Sequence, residues 1–331
     1  MTRAGVLLFA RTLGAALAAS ATLAHAQTSS DALAWLRKIY QATQRLSYTG
    51  TFVYQRGDET EASRIVHVAG TGTGIEKLEA LDGARREIVR TRDTVQSYLP
   101  DARTLKVDRR TVGPRDRGRG FPAMLPERLS GLARNYTVSF GDTARIAGYE
   151  CREVVLRPND RYRYGYRLWA DRRSGMLLKA RTFNAKGETL EQFTFTQLRI
   201  GPVPRGEVRV RPVPPGWRVE DSSVQPVDLA AEGWRVDADL PGFEKVAEVK
   251  RKLRATHLVD QVVYSDGMAA VSVFIEPMPA AAAEVHPGLS RTGATNIYTR
   301  EVADHLVTVV GEAPAVSVQR IGDSVEYHPP H

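Results

Sequence analysis

A single cysteine, Cys151, occurs in the 331 residues, so no disulfide can form within the chain. If such a chain leaves the cytoplasm, burial of apolar surface must hold it together. Histidine offers no metal site either. His67, His257, His286 and His305 are isolated, while His328 and His331 sit in the closing tail, so ligand spacing is absent. The glycine run GTGTG, Gly70 to Gly74, lacks the G-x-G-x-x-G spacing of a nucleotide cradle and lies between strand-like runs, as a hairpin loop would. Carboxylates are plentiful but scattered. Cys151 alternates with Glu153 and Val155 in GYECREVVL, with no histidine beside it in sequence to activate it as a nucleophile. The expectation is a protein without catalysis, metal or cofactor.

No long apolar run occurs beyond the first 26 residues. Within them, Arg3 and Arg11 precede an apolar stretch from Leu13 to Leu23 that closes on Ala24-His25-Ala26. That is the pattern of a secretory leader cut before Gln27, and it is shorter than the roughly 20 apolar residues of a bilayer span. The expected location is therefore outside the cytoplasm, in soluble form. A formal charge of +8 falls by two when Arg3 and Arg11 leave, and it still favours anionic lipid, lipopolysaccharide or an acidic peptide. Export argues against nucleic acid as a partner.

What is present is mainly period-two alternation. SSDALAWLRKIYQATQRLSY predicts a helix capped by Ser30 or Asp31, with Leu33, Leu36, Ile39 or Tyr40, Thr43 and Leu46 on one face. Strands are then expected at Gly50 to Gln55, Arg64 to Ala69, Ile75 to Ala80, Arg85 to Thr91, Thr94 to Leu99 and Thr104 to Val107. A Pro and Gly-rich stretch with eight basic and three acidic residues from Arg103 to Arg128 reads either as a mobile basic loop or as an anion-binding lid. Further strands are predicted at Tyr136 to Phe140, Tyr149 to Arg157, Arg161 to Asp171, Met176 to Asn184 and Thr189 to Ile200, joined by hairpin chemistry at Asn159-Asp160, Ser174-Gly175 and Lys186-Gly187. Five prolines between Gly201 and Trp217 predict an extended linker that holds two bodies apart. The expected division is a leader (1–26), a first body (27–200), a linker (201–216), a second body (217–325) and a disordered tail (326–331). In the second body, strands are expected at Val246 to Leu253, Leu258 to Ser265, Ala270 to Glu276, Ala294 to Arg300 and Asp304 to Gly311, before a helix from Ala315 to Val325.

The segment RYRYGYRLWADRRSGMLLKARTF, Arg161 to Phe183, carries the densest chemistry. Read as a strand, it puts Tyr162, Tyr164, Tyr166, Leu168 and Ala170 on one face and Arg161, Arg163, Arg167 and Trp169 on the other. The apolar face is compatible with a sheet packed on its helices. Three tyrosines are poor filler for a dry core, however, because each hydroxyl needs a partner. The same face therefore also fits a wall around acyl chains, with arginines at the rim for phosphate.

These residues resemble a known family, that of the sigma-E regulatory proteins RseB and MucB. The similarity rests on SYTGTFVYQRGDETEASRIVHV, RYRYGYRLWADRRSGMLLKARTF and EQFTFTQLRIG in the first body. In the second it rests on HLVDQVVYSDGMAAVSVFIEP, GATNIYTREVADHLVTVVGEAP and the closing helix. The resemblance implies an α+β, mainly antiparallel fold: a large unclosed barrel of the LolA and LolB type around helices, plus a smaller α+β domain. It also implies a periplasmic negative regulator of the envelope stress response. Such a protein binds the periplasmic part of a single-pass anti-sigma factor, shields it from site-1 proteolysis, and is released by lipopolysaccharide or mislocalised lipoprotein. A lipid or lipoprotein carrier is the alternative, and assembly as a homo-oligomer stays open. On this basis Tyr54, Tyr98, Phe121, Met124, Tyr164, Tyr166, Phe193 and Phe195 are the expected lipid-sensing surface, with Arg115, Arg117 and Arg119 as anion contacts. His257, Asp260, Tyr264, Phe274 and Tyr298 are the expected partner surface.

Overall fold

The computed structural model describes residues 30–70, 74–109, 125, 129–209, 211–222, 224–254, 257–278 and 287–329. The leader, Arg115, Arg117, Arg119, Phe121 and Met124 lie outside them. Twelve strands build the first sheet: β1 (Tyr48–Arg56), β2 (Glu59–Val68), β3 (Ile75–Ala80), β4 (Glu87–Arg90), β5 (Thr94–Leu99), β6 (Thr104–Arg109), β7 (Tyr136–Ile146), β8 (Tyr149–Pro158), β9 (Gly165–Asp171), β10 (Leu177–Phe183), β11 (Thr189–Ile200) and β12 (Arg218–Ser222). Their order is β12-β6-β5-β4-β3-β2-β1-β11-β10-β9-β8-β7, antiparallel throughout except for β12, which runs parallel to β6. The sheet ends on β7 and β12 without closing. This is the expected mainly antiparallel, unclosed fold.

A helix over residues 30–45, α1, covers one face of this sheet. Its buried Ala32, Leu36 and Ile39 recur at helical spacing and meet Tyr48, Phe52, Tyr166, Leu168, Leu178, Phe193 and Phe195. Each fully buried aliphatic side chain of this kind contributes about 1.5–3 kcal/mol of transfer free energy. The short helix α2 (Leu132–Asn135) and its preceding turn add Leu129 and Leu132 to the same cluster. We call the α1 side of the sheet the inner face.

The second sheet contains β13 (Val224–Pro226), β15 (Glu244–Arg254), β16 (His257–Ser265), β17 (Ala270–Pro277), β18 (Gly288–Thr292), β19 (Thr295–Val302) and β20 (His305–Gly311), ordered β13-β15-β16-β17-β20-β19-β18. Helix α3 (Ala315–Asp323) closes it with Val318 and Ile321 packed on Val271, Val273 and Val309. A two-stranded ribbon pairs β14 (Trp234–Arg235) with β21 (Glu326–Tyr327).

Three expectations are corrected here. The tail begins as structure: Tyr327 packs at a tilt against Trp234 with ring centroids 4.7 Å apart, and the His328 amide donates to the Gly233 carbonyl. The first sheet does not end at Ile200, because β12 hydrogen-bonds to β6 beyond the linker. The linker itself is not a free spacer. It crosses the outer face of β2–β6, where the Arg211 carbonyl accepts from the Tyr98 hydroxyl at 2.7 Å, Glu207 meets Arg64, and Trp217 packs on Tyr98. Proline-rich composition gives an extended path, and nothing in composition says what that path lies upon.

His67, on β2, sits beside the Tyr48 ring with centroids 5.2 Å apart. Burial lowers its imidazole pKa below the ordinary 6.5, against an Nδ1–H bond donated to the Leu46 carbonyl at 2.8 Å that raises it. The unfolded chain takes up this proton more readily than the folded one, so the contribution of His67 to stability is present at neutral pH and declines as pH falls below 6.5. Urea midpoints should drop between pH 7.5 and pH 5.5 by more in the unaltered chain than in His67→Gln.

Candidate functional site

The segment Arg161 to Asp171 does not run as one strand. Pairing begins only at Gly165, and residues 159–164 form a turn held by Asp160, whose Oδ1 accepts from the Tyr162 amide at 2.8 Å. The tyrosines therefore part company. Tyr166 stays on the inner face in the α1 core, its ring 6.2 Å from that of Tyr136. Tyr162 packs against the core of the second sheet, where its carbonyl accepts from Ser317 Oγ at 2.8 Å and its hydroxyl from Arg320 at 2.9 Å. The Tyr164 hydroxyl accepts from Asn296 Nδ2 at 2.9 Å, and the ring lies in a small cluster with Leu190 and Ala294. The Tyr162 and Tyr164 hydroxyls do have partners, as buried phenols require, but the second sheet and its helix supply them.

Between these tyrosines lies Arg163, whose side chain is 0% exposed. Its Nη1 donates to Asp266 Oδ2 at 2.6 Å, its Nε donates to Asp160, and its Nη2 donates to the Pro241 carbonyl. The Tyr136 and Phe243 rings flank the guanidinium at 5.7 and 5.2 Å. Asp266 is equally enclosed: Oδ2 also accepts from the Tyr136 hydroxyl at 3.1 Å, while Oδ1 caps the β16–β17 turn through the Met268 and Ala269 amides. Burial is the largest cause of the raised Tyr136 pKa, with Asp266 adding to it, so the phenol keeps its proton and remains a donor. Gly242, at φ +74°, completes the contact, since a Cβ there would come within 2.5 Å of the Asn135 side chain. The two sheets thus meet through a buried, charged joint to which Tyr162, Arg163 and Tyr164 all contribute.

Of the eight expected lipid contacts, the six among the described residues do not form one surface. Tyr166, Phe193 and Phe195 are buried beneath α1, and Tyr54, half-buried at the edge of that cluster, donates to Glu191 at 2.7 Å. Tyr98 faces the opposite side, under the linker, because strand parity places it with Val89 and Leu105. Tyr164 belongs to the joint. The partner residues also divide. Tyr264 is buried, its hydroxyl donating to the Val236 carbonyl and its pKa pushed up to about 12, chiefly by burial. Asp260 pairs with Lys250 at 3.2 Å, and Tyr298 donates to Asp323 at 2.8 Å on the α3 side. Phe274 is half-buried on the opposite face of the second sheet, across from Gln261 and Thr308, and His257 is the first residue of β16.

Sequence reasoning missed Arg163 and Asp266 as a pair, and the signal available was weak: both sit in turn sequences, 103 residues apart. Among the described residues, no three His, Cys, Asp or Glu side chains come together to hold a metal, and no helix is long and apolar enough to cross a membrane. Cys151 is buried in the inner cluster, and burial, reinforced by Asp171, raises its thiol to about 12. A thiol reagent at pH 8 should leave the folded chain unlabelled and label it stoichiometrically in denaturant; rapid labelling of the native form would contradict this burial.

Two family models cover the chain in order, the MucB/RseB N-terminal domain over residues 31–227 and the MucB/RseB C-terminal domain over residues 228–326. Their junction follows both β12 and β13, so the first model takes in β13, which pairs with β15 of the second sheet. The chain is 32% identical to the sigma factor AlgU regulatory protein MucB of Pseudomonas aeruginosa over 95% of each chain. It is 24% identical to the sigma-E factor regulatory protein RseB of Escherichia coli over 92% of this chain and 93% of that one. Among solved structures, the P. aeruginosa MucA/MucB complex matches 91% of this chain and all of the other, at 30% identity and a TM-score of 0.69. Matched nearly end to end, in both sequence and architecture, this chain belongs to the MucB/RseB family.

Proposed function

We propose that this protein is a periplasmic negative regulator of an envelope stress response, acting by occupancy. It binds the periplasmic domain of a membrane-tethered anti-sigma factor, shields that domain from the first protease, and lets go when lipopolysaccharide or a mislocalised lipoprotein binds. The observation that carries this reading is the match over both domains to a MucB solved together with MucA. The relatives are regulatory proteins of sigma factors by name, which supports binding over bond chemistry.

The inner face supports a division of labour. Under α1 it is filled, but toward β3–β5 it carries Leu78, Ile88 and Val95 half-buried, with Arg90 paired to Glu76 beside them. Acyl chains would bind there, each buried methylene contributing about 0.8 kcal/mol. Lipid and anti-sigma factor must then oppose each other by the same factor, and a coupling of about 1–3 kcal/mol is ordinary. The joint at Arg163 is the element whose two arrangements both ligands would bias. To test the reading, the cognate anti-sigma periplasmic domain is exposed to its site-1 protease with this protein, with and without lipid A. Slow cleavage that lipid A accelerates supports the proposal. Cleavage at the same rate with and without this protein overturns it.

A further inference from the structure

The half of the Arg161 to Phe183 segment that remains a strand presents a second face, away from α1, which the joint does not use and which reaches the core cluster only through Trp169. On it stand Arg167 and Trp169 of β9, Lys179, Arg181 and Phe183 of β10, and Arg157 of β8, placed together by the registers Lys179↔Trp169, Arg181↔Arg167 and Val155↔Arg167. Trp169 is 8% exposed and forms the floor. Lys179 Nζ lies 5.0 Å from its ring centroid and Arg181 Cζ 5.6 Å, so two cations share one indole. The Phe183 ring lies over Gly165, where a Cβ would come within 2.2 Å of it, and Arg167 stands 6.0 Å from that ring.

The charge on this face is one-sided. Glu153, buried on this face, pairs with Arg167 at 3.2 Å and accepts the Asp142 amide, and Asp171, buried at the end of β9 with the same parity, accepts from the Ser174 amide and hydroxyl. Arg181 donates only to the neutral amide oxygen of Gln192, and Lys179 has no ion-pair or hydrogen-bond partner among the described residues. Burial, and next to it Arg181, lowers the Lys179 pKa, against Glu153, which raises it. Four cations over a buried aromatic floor, with two buried carboxylates, Glu153 and Asp171, leave a net positive face that an anionic partner would neutralise.

The kind of partner follows from the sheet. β9, β10 and β11 are each paired on both sides, so no backbone edge is available to take up a peptide strand, and the face offers side chains alone. Cations on neighbouring strands stand about 4.8 Å apart across the sheet. That array meets a plane of headgroup phosphates more readily than one extended peptide. Aromatic rings beside cations are also the composition of protein surfaces that rest in the headgroup layer. We propose that the outer face of β8–β10 docks this protein on an anionic phospholipid bilayer through Arg157, Arg167, Lys179 and Arg181, with Trp169 and Phe183 beneath them.

The test is cosedimentation of the full chain with vesicles of phosphatidylglycerol and phosphatidylethanolamine, free of lipopolysaccharide, beside vesicles of phosphatidylcholine. Binding is expected only to the anionic vesicles, and a rise in salt to about 0.5 M should abolish it. The double variant Lys179→Gln/Arg181→Gln should bind about 30-fold more weakly, the factor for two cations near an anionic surface. Arg45→Gln/Arg92→Gln, which removes the same charge from exposed sites elsewhere, should bind as the unaltered chain does. No sedimentation with anionic vesicles, or equal losses in both double variants, would overturn the proposal. So would binding to polyglutamate in place of vesicles, which would assign the face to a protein. If Lys179→Gln/Arg181→Gln does not fold, Arg181→Lys and Lys179→Gln singly, with the salt titration of the unaltered chain, decide the question. The anti-sigma interaction is not part of this readout, so the two proposals fail independently.

Discussion

Arg163→Met is expected to lower stability by about 3–5 kcal/mol, the usual cost of removing one partner from a buried ion pair. The guanidinium is fully enclosed, so its loss leaves the Asp266 carboxylate with three hydrogen bonds but no counter-charge, and leaves the Pro241 carbonyl without this donor. Because the residue bridges two sheets, unfolding should also separate into two steps, and the radius of gyration by small-angle scattering should rise as the joint opens. Adding Asp266→Asn removes the stranded charge while keeping an oxygen to cap the β16–β17 turn. The double variant should accordingly be more stable than Arg163→Met alone. A loss below about 1 kcal/mol with an unchanged scattering profile would mean that the joint contributes little to holding the sheets together.

Phe195→Ala is expected to cost about 3–5 kcal/mol. The ring is 1% exposed, packs edge-on against Tyr48, Phe52 and Phe193, and lies in the cluster that α1 closes. Truncation would leave a cavity that the paired strands β1 and β11 cannot collapse to fill. The sequence reading, guided by the family resemblance, makes this residue a lipid contact, and the two roles separate cleanly. A surface contact changed to alanine shifts stability by no more than about 0.5 kcal/mol and weakens amphiphile binding. Denaturant unfolding together with lipid A titration of the same variant distinguishes them.

Strands were legible wherever alternation and turn chemistry agreed. Ile75–Ala80, Thr94–Leu99 and Thr189–Ile200 have the bounds that the sequence predicts, and the helix over residues 30–45 buries the face expected around Leu36 and Ile39. The alternation at Arg161 to Tyr164 misled because period two is a property of sequence, while strand formation also needs a neighbour to pair with. Asp160 offers the Tyr162 amide a local acceptor instead, which bends the chain out of the sheet. The partners that then define the segment, Asn296, Ser317 and Arg320, lie more than 130 residues further on, beyond any local pattern. Parallel pairing of β12 with β6 is equally silent in sequence, since five residues carry no mark of the strand they will join. Tyr98 shows the limit for sites: its residue type suits a lipid wall, but parity turns it to the side that the linker covers.

The central proposal, resting on the family relation and the joint, is that this protein clasps an anti-sigma factor and that an amphiphile loosens the clasp. Isothermal titration of the full chain with the cognate anti-sigma periplasmic domain, repeated after saturation with lipid A, measures that claim directly. Saturable binding that weakens about 5 to 150-fold with lipid A is the predicted result. Heat changes no larger than dilution in the absence of lipid, or an affinity that lipid A leaves untouched, would contradict it.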